Sequence, residues 1–325
     1  MKKQAPPTQK EQKEIGVQLD ELVALLTLDQ VRGFGPGAFR AAHQEAIKPE
    51  ALVEDASLLP IEGKRGETLR KKIASLGSTE HTLARERALR QLQRAAELDA
   101  KILTYRNPHY PPNLLASNSA VPILYARGDV GVLKQANVVA CVGSRKIRPR
   151  YVEHLRSFSE LASKGGWLIA SGFANGADTI AHQAAIAAGG TTVLVMPSGL
   201  DIPFPPENRP LWKEWQGYSG VAMISEFPLG TKASGLTLRK RNKTIVGVSK
   251  AVLVAQTSLK GGTMNAYRFA LEQHKPVLTF PPDENSDTAG NRLIRHDENQ
   301  QQGLLDEDAL HLPELENWLA RSSSI

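Results

Sequence analysis

The sequence predicts an α/β protein: a Rossmann-like, doubly wound, mostly parallel sheet preceded by a small all-helical domain. Three observations carry that prediction. Apolar runs at Val138–Val142, Trp167–Ala170, Thr191–Met196, Val221–Ile224, Ala251–Ala255 and Pro276–Phe280 recur along the middle of the chain, each short enough for a strand buried on both faces. Between the first three lie segments of helical periodicity, Tyr151 to Ser163 and Ala177 to Ala188; that βαβαβ rhythm implies a parallel sheet with helices on both faces. Ahead of them, Ile15, Leu19, Leu22 and Leu26 recur at helical spacing, which puts them on one buried helix face.

Taken in order, Met1 to Glu14 is rich in lysine, glutamine and proline and reads as a solvated, disordered tail over 1–14. A helical section follows over 15–100. It contains a hairpin at Val31–Phe39, and Ser78 or Thr79 can cap a later helix carrying Leu83, Leu89, Leu92 and Leu98. The sheet domain spans 101–296, and Ile102–Tyr105 and Ile123–Ala126 add edge strands before its parallel part. An acidic tail closes the chain over 297–325: Asp297 to Glu316 holds seven acids and no Lys or Arg.

A chain of 325 residues usually divides into two or three domains, and 41% hydrophobic against 23% charged residues supplies a core. No stretch is long and apolar enough to span a bilayer, and the N-terminus lacks a signal-peptide core. Cys141 is the single cysteine, which excludes an intramolecular disulfide framework and a multi-cysteine zinc site. The expected compartment is the cytoplasm, with no metal and no cofactor. The net charge of +6 is modest, but the cations cluster. Arg145, Lys146, Arg148, Arg150 and Arg156 face one acid, Glu153; Lys232, Arg239, Lys240, Arg241, Lys243 and Lys250 face only Glu226. Clustered cations attract polyanions; the alternative is a solvated, salt-bridged surface.

The sharpest chemical signal is the run from Val138 into Gly143-Ser144-Arg145. A buried strand leads into glycine, a hydroxyl and a cation before a helix, at the sheet edge where ligands sit. Glycine admits a phosphate to the backbone, the helix start offers N–H groups, and Arg145 and Lys146 supply charge. The second strand repeats the pattern with Ser171, Gly172, Asn175 and Asp178; Asp178 also reads as a first-turn helix acid, and His182 either faces the site or makes a core contact. Arg239, Arg241, Asn242 and Lys243 form a basic loop before the Ala251–Ala255 strand. Gly261, Gly262 and Thr263 open a helix as an anion nest. Neither glycine segment has the dinucleotide or P-loop spacing.

The span from Ile102 to Ile294 resembles the DNA-processing protein A (DprA, or Smf) family. The resemblance rests on Asn107–Pro111, Ile123–Asp129, Val142–Arg145, Ser171–Asp178, Ala181-His182, Gly189–Thr191, Pro205–Asn208, Ser225–Pro228, Arg241-Asn242, Gly261–Thr263, Ala266 and Gly290–Ile294. It implies an extended Rossmann fold, with a helix-hairpin-helix (SAM-like) element around Gly33-Phe34-Gly35. It further implies single-stranded DNA binding, with duplex DNA left open, a homodimer through the Rossmann domain, and RecA as partner in recombination and natural transformation. On this reading the protein is no enzyme, and Gly143, Ser144, Arg145, Ser171, Gly172, the Arg241-Asn242-Lys243 loop, Gly261, Gly262 and Thr263 hold phosphates. Asn175, Ala177, Lys243 and Lys260-Gly261-Gly262 depart from the family pattern, and the acidic tail has no room for the winged helix of many members. Two alternatives stand beside this reading. One is a regulatory or antitoxin component of an anti-phage defence or toxin–antitoxin module, with a toxin as partner. The other is a nucleotide-cleaving phosphoribohydrolase using Glu226 or Asp178, although the P-G-G-x-G-T loop of such enzymes is incomplete here.

Overall fold

Glycines and prolines bound several of the helices at the front of the chain: Gly16 follows the first, and Pro36 and Pro49 open two others. The computed structural model describes residues 9–296 and 312–323; residues 1–8 of the expected tail and 297–311 of the acidic stretch lie outside the described residues. The chain divides into two units, the first up to Tyr110 with Ala120–Ala126, the second comprising Pro111–Ser119 and everything from Arg127.

In the first unit, helix α1 covers Gln9–Ile15 and α2 covers Leu19–Leu28. This corrects the expected solvated tail from Gln9 onward: Gln12 is buried, and its side-chain oxygen accepts from the Leu19 amide at 2.7 Å, which ties α1 to the first turn of α2. The single face drawn through Ile15, Leu19, Leu22 and Leu26 is split between the two helices at Gly16, whose φ of 99° is left-handed and ends α1. The expected hairpin at Val31–Phe39 is a turn into α3, Pro36–Gln44. Edge-to-face packing of Phe34 on Phe39, at 4.7 Å between ring centroids, holds it. Helices α4 (Pro49–Glu54), α5 (Gly63–Ala74) and α6 (Ser78–Glu97) follow. Gly77, not Ser78 or Thr79, is the N-cap of α6, and the Glu80 carboxylate accepts from its amide at 3.0 Å. The buried stripe of α6 is Ala84, Ala88, Leu92 and Ala95, whereas Leu83 is exposed, because small residues let α6 lie against α2. Strands β1 (Lys101–Thr104) and β2 (Ile123–Gly128) pair antiparallel.

The second unit is Rossmann-like. After α7 (Pro112–Ala116) come β3 (Val138–Val142), α8 (Pro149–Lys164), β4 (Leu168–Ser171), α9 (Ala177–Ala187), β5 (Thr192–Val195) and α10 (Arg209–Trp215). Then follow β6 (Val221–Ser225), α11 (Gly235–Val248), β7 (Ala251–Val254), α12 (Gly262–Glu272), β8 (Val277–Thr279), α13 (Ala289–Arg295) and α14 (Leu312–Ser323). Strands β3 to β8 are parallel in the order β6-β5-β4-β3-β7-β8. The chain builds outward from β3 through β4, β5 and β6, then returns to place β7 on β3's other side. This reversal of strand order opens a crevice beyond the carboxyl ends of β3 and β7. On one face Val139, Cys141, Ile169 and Leu253 pack against Tyr151, Leu155 and Phe158 of α8 and Ala177 and Ala181 of α9. Helices α11 and α12 pack on each other, α11 also against β3, β4 and β5 and α12 against β7. Residues 312–323, expected as part of an acidic tail, are helical because Trp318 and Leu319 enter that same core beside Phe158.

Candidate functional site

The turn after β3 is fixed by its own polar groups. The Ser144 amide donates to the Gln256 carbonyl at 2.9 Å, its carbonyl accepts from the Ala177 amide at 3.1 Å, and its hydroxyl accepts from the Lys146 amide at 3.0 Å. A Cβ on Gly143 would press on Ala177 and Ala255, so only glycine lets the turn pass between α9 and the end of β7. Gly176, at φ 83°, supplies the left-handed residue that starts α9 beneath the carbonyls of Ser144 and Arg145.

These constraints shape a cavity of about 520 Å³ at the crevice between β3 and β7. It is lined by Gly143, Ser144, Arg145 and Lys146 from the β3 turn, and by Ala174 and Asp178 from the β4 side. Gly235, Leu238, Arg239, Arg241 and Asn242 come from α11, and Thr257, Ser258, Lys260, Gly261, Gly262, Thr263 and Asn265 from the β7–α12 segment. Arg145, Lys146, Arg239 and Lys260 are exposed at its rim, while Arg241, at 5% exposure, forms its floor. Asp178 is the one acid in this lining, 3.7 Å from the Arg241 guanidinium.

That pair defines the electrostatics of the floor. Burial pushes the Asp178 carboxyl above the ordinary carboxylate range, and the Arg241 charge offsets part of the push. Arg241 also donates to the Val195 carbonyl at 3.2 Å, yet its buried Nε has no hydrogen-bond partner among the described residues. A buried, unpaired guanidinium donor demands an explanation. Gly172 makes the arrangement fit: a Cβ there would collide with the Arg241 guanidinium and the Asp178 carboxylate.

The structure therefore gathers Gly143, Ser144, Arg145, Lys146, Arg239, Arg241, Asn242, Gly261, Gly262 and Thr263 around one cavity. It puts other expected residues elsewhere. Ser171 is wholly buried and donates to the Cys141 carbonyl, and Gly172 lies beneath Arg241; neither lines the cavity. Asn175 lines a neighbouring cavity instead. Lys243 does not line the cavity, because the segment expected as a basic loop is the interior of α11, where successive side chains rotate onto different faces. Asn242 donates to the Gly262 carbonyl at 3.0 Å and ties α11 to the start of α12. The start of α8 also differs from expectation. Arg148, its N-cap, is bound to Asp283 at 2.7 Å and Asp287 at 3.1 Å, so that terminus contributes no lining; the start of α12 does. His182 makes core contacts, with Thr192 Oγ1 and the Gly172 carbonyl each at 2.6 Å from its ring nitrogens. Sequence reasoning missed Gly235, Leu238, Thr257, Ser258 and Asn265, none of which carries a charge or motif to mark it; the β7–α12 glycines were the nearest signal.

Among the described residues no group of three or more His, Cys, Asp or Glu side chains is placed to hold a metal ion, and no helix is long and apolar enough to cross a membrane.

Residues 101–304 match the family described as DNA recombination-mediator protein A. Protein Smf of Synechocystis sp. is 28% identical over 261 residues, 79% of this chain and 63% of that protein. Protein Smf of Escherichia coli is 35% identical over 173 residues, 53% of this chain and 46% of that protein. The chain thus spans roughly half to under two thirds of the length of these two curated relatives. Among solved structures, DNA processing protein A of Streptococcus pneumoniae shares the fold, with a TM-score of 0.62 at 20% identity over 92% of this chain and 94% of that one. DNA processing protein A from Helicobacter pylori, described for its single-stranded DNA binding mode, gives a TM-score of 0.57 at 25% identity over 68% of this chain and 96% of that one.

Proposed function

This chain belongs to the DNA recombination-mediator protein A family, and on that premise we propose that it binds single-stranded DNA through the crevice at the β3 and β7 carboxyl ends, as a recombination mediator. The observation that carries the reading is the charge of the cavity. Arg145, Lys146, Arg239, Arg241 and Lys260 face one carboxylate, Asp178, which is already committed to Arg241. Backbone groups at the start of α12 and the Ser144 hydroxyl add donors at the same place. Such a surface neutralises phosphates and reads little sequence. The single-stranded DNA binding named for the Helicobacter pylori protein supports the same substrate class. The expected homodimer and RecA partnership belong to this proposal as well.

Binding is favoured over hydrolysis by the positions of the acids. Glu226 lies outside the cavity lining, accepts a hydrogen bond from Thr244 at 2.8 Å, and Asp178 is paired on the floor.

A fluorescence-anisotropy series over salt concentration, with a single strand, a duplex and free nucleotides, tests the proposal. The single strand binds most tightly and its log affinity falls linearly with log salt. Arg145→Ala weakens that binding and flattens the slope by about 0.7 to 1. Unchanged affinity and slope in the variant removes Arg145 from the site; salt-independent binding overturns the reading.

A further inference from the structure

The first unit carries a set of cations that no acid answers. Helix α5 buries Gly66, Leu69 and Ile73; the helical period then turns Lys64 and Lys71 outward and sets Arg65 and Lys72 along one flank. Each pair is seven positions apart, about 10 Å along the axis. All four are exposed, as is Arg32. The Lys72 ammonium donates to the Arg32 carbonyl at 2.8 Å, which places the loop before α3 beside that flank. Glu67 is the single acid of α5. Other cations of this unit are neutralised: Arg85 lies 3.8 Å from Asp20, Arg90 3.7 Å from Glu86, Lys101 4.0 Å from Asp99 and Arg106 3.7 Å from Glu21. Among the described residues Arg32, Lys64, Arg65, Lys71 and Lys72 form no such pair. The face is therefore not the salt-bridged surface that mixed charges usually make.

An unpaired row of cations attracts a polyanion, and what the surface lacks decides its form. The aromatic side chains of this unit, Phe34, Phe39, Tyr105, Tyr110 and Tyr125, are all buried, so an unpaired base finds no platform on which to stack. Contact with phosphate alone remains, and it grows with the density of charge along the ligand. A duplex presents one charge per about 1.7 Å of its axis, twice the density of either of its strands. A stiff duplex also meets a rigid helix face without the ordering cost that a flexible strand bears. We propose that the outward face of α5 binds the backbone of duplex DNA through Lys64, Arg65, Lys71 and Lys72, with Arg32 at its margin. The surface lies wholly in the first unit and shares no residue with the crevice lining, so it stands apart from the single-strand site proposed above. DNA is the polyanion suited to a chain of the recombination-mediator family.

The test measures anisotropy of a blunt-ended duplex and of oligothymidylate over a salt series, with the full chain and with K64A/R65A/K71A. Alanine preserves a helix best, and Lys72 is left to keep its tie to Arg32. The unaltered protein binds the duplex, more weakly than the single strand. The alanine variant binds the duplex about tenfold more weakly and with a salt slope flatter by about 3, near one for each cation removed. Its binding of oligothymidylate is unchanged. The charge-keeping variant K64R/R65K/K71R retains the duplex affinity, which separates lost charge from a misfolded helix. An unchanged duplex slope in the alanine variant overturns the proposal, as does failure of the unaltered protein to bind the duplex at low salt. Equal losses for duplex and single strand overturn the assignment to paired DNA. Loss of phosphatidylglycerol vesicle binding with the duplex untouched points to a membrane surface and overturns it too. The crevice reading is decided separately, by Arg145→Ala on the single strand.

Discussion

Arg241 keeps a positive charge at the bottom of the crevice because Asp178 stands 3.7 Å away; either group alone would be an uncompensated buried charge. The sequence showed Arg241 as one cation in a basic run and Asp178 as a first-turn acid. Nothing local to either residue reveals that they meet, since 63 positions of chain (241 minus 178) separate them and only the sheet order brings them together. Arg145 and Lys146 were legible, because a strand end followed by glycine, serine and two cations fixes both their edge and their exposure. His182 shows the limit of reading a single side chain. It is fully buried, and burial lowers its pKa from 6.5 to about 4. As pH falls, the unfolded chain takes up this proton first. The stability from keeping the imidazole neutral is therefore complete above pH 6.5 and lost between pH 6.5 and 4, a difference of roughly 3 kcal/mol. An NMR titration should find the His182 ring neutral down to about pH 4.

Helix α11 was hidden by its own charges. Arg239, Lys240, Arg241 and Lys243 read as a loop because four cations in five positions leave no apolar stripe in that stretch. The signal that finds the helix lies earlier, at Ser234, whose side chain accepts from the Thr237 amide while Thr237 bonds back to the Ser234 amide. That is a capping box with threonine in place of the usual Glu or Gln. By contrast, β3 coincides with its apolar run from Val138 to Val142, since a central strand is buried on both faces and has sharp apolar limits. Helix α14 was masked by the acids around it, yet Trp318 is among the largest fully buried side chains of the protein. Trp318→Ala should cost about 3–5 kcal/mol, the usual range for deleting a buried aromatic ring, measured as a lower urea midpoint at unchanged slope.

The molecule as a whole divides in a way that makes its ligand easy to follow. Trp167, Trp212, Trp215 and Trp318 are the chain's four tryptophans, and each lies in the second unit, as does the cavity. Tryptophan fluorescence therefore reports on the unit that contains the proposed site. A single strand at a hundred times its dissociation constant should stabilise that unit by about 2.7 kcal/mol, read as a higher tryptophan-detected melting temperature; a strand bound elsewhere leaves that melt unmoved. The βαβ rhythm made the Rossmann sheet and its crevice legible, because strand order and ligand edge follow from topology. The extent of the two units was not, since β1 and the first residues of β2 belong with the helical section, and apolar runs look alike in either setting.

The room for Arg241 is the room of a missing side chain at Gly172. A single methyl group placed there displaces the deepest cation while every charge in the chain stays as it was. The altered and original proteins would be indistinguishable by isoelectric focusing and unequal in their grip on a polyanion. On the phosphate-binding proposal, affinity then depends on where one guanidinium is allowed to lie, and a hydrogen atom in place of a carbon is what allows it.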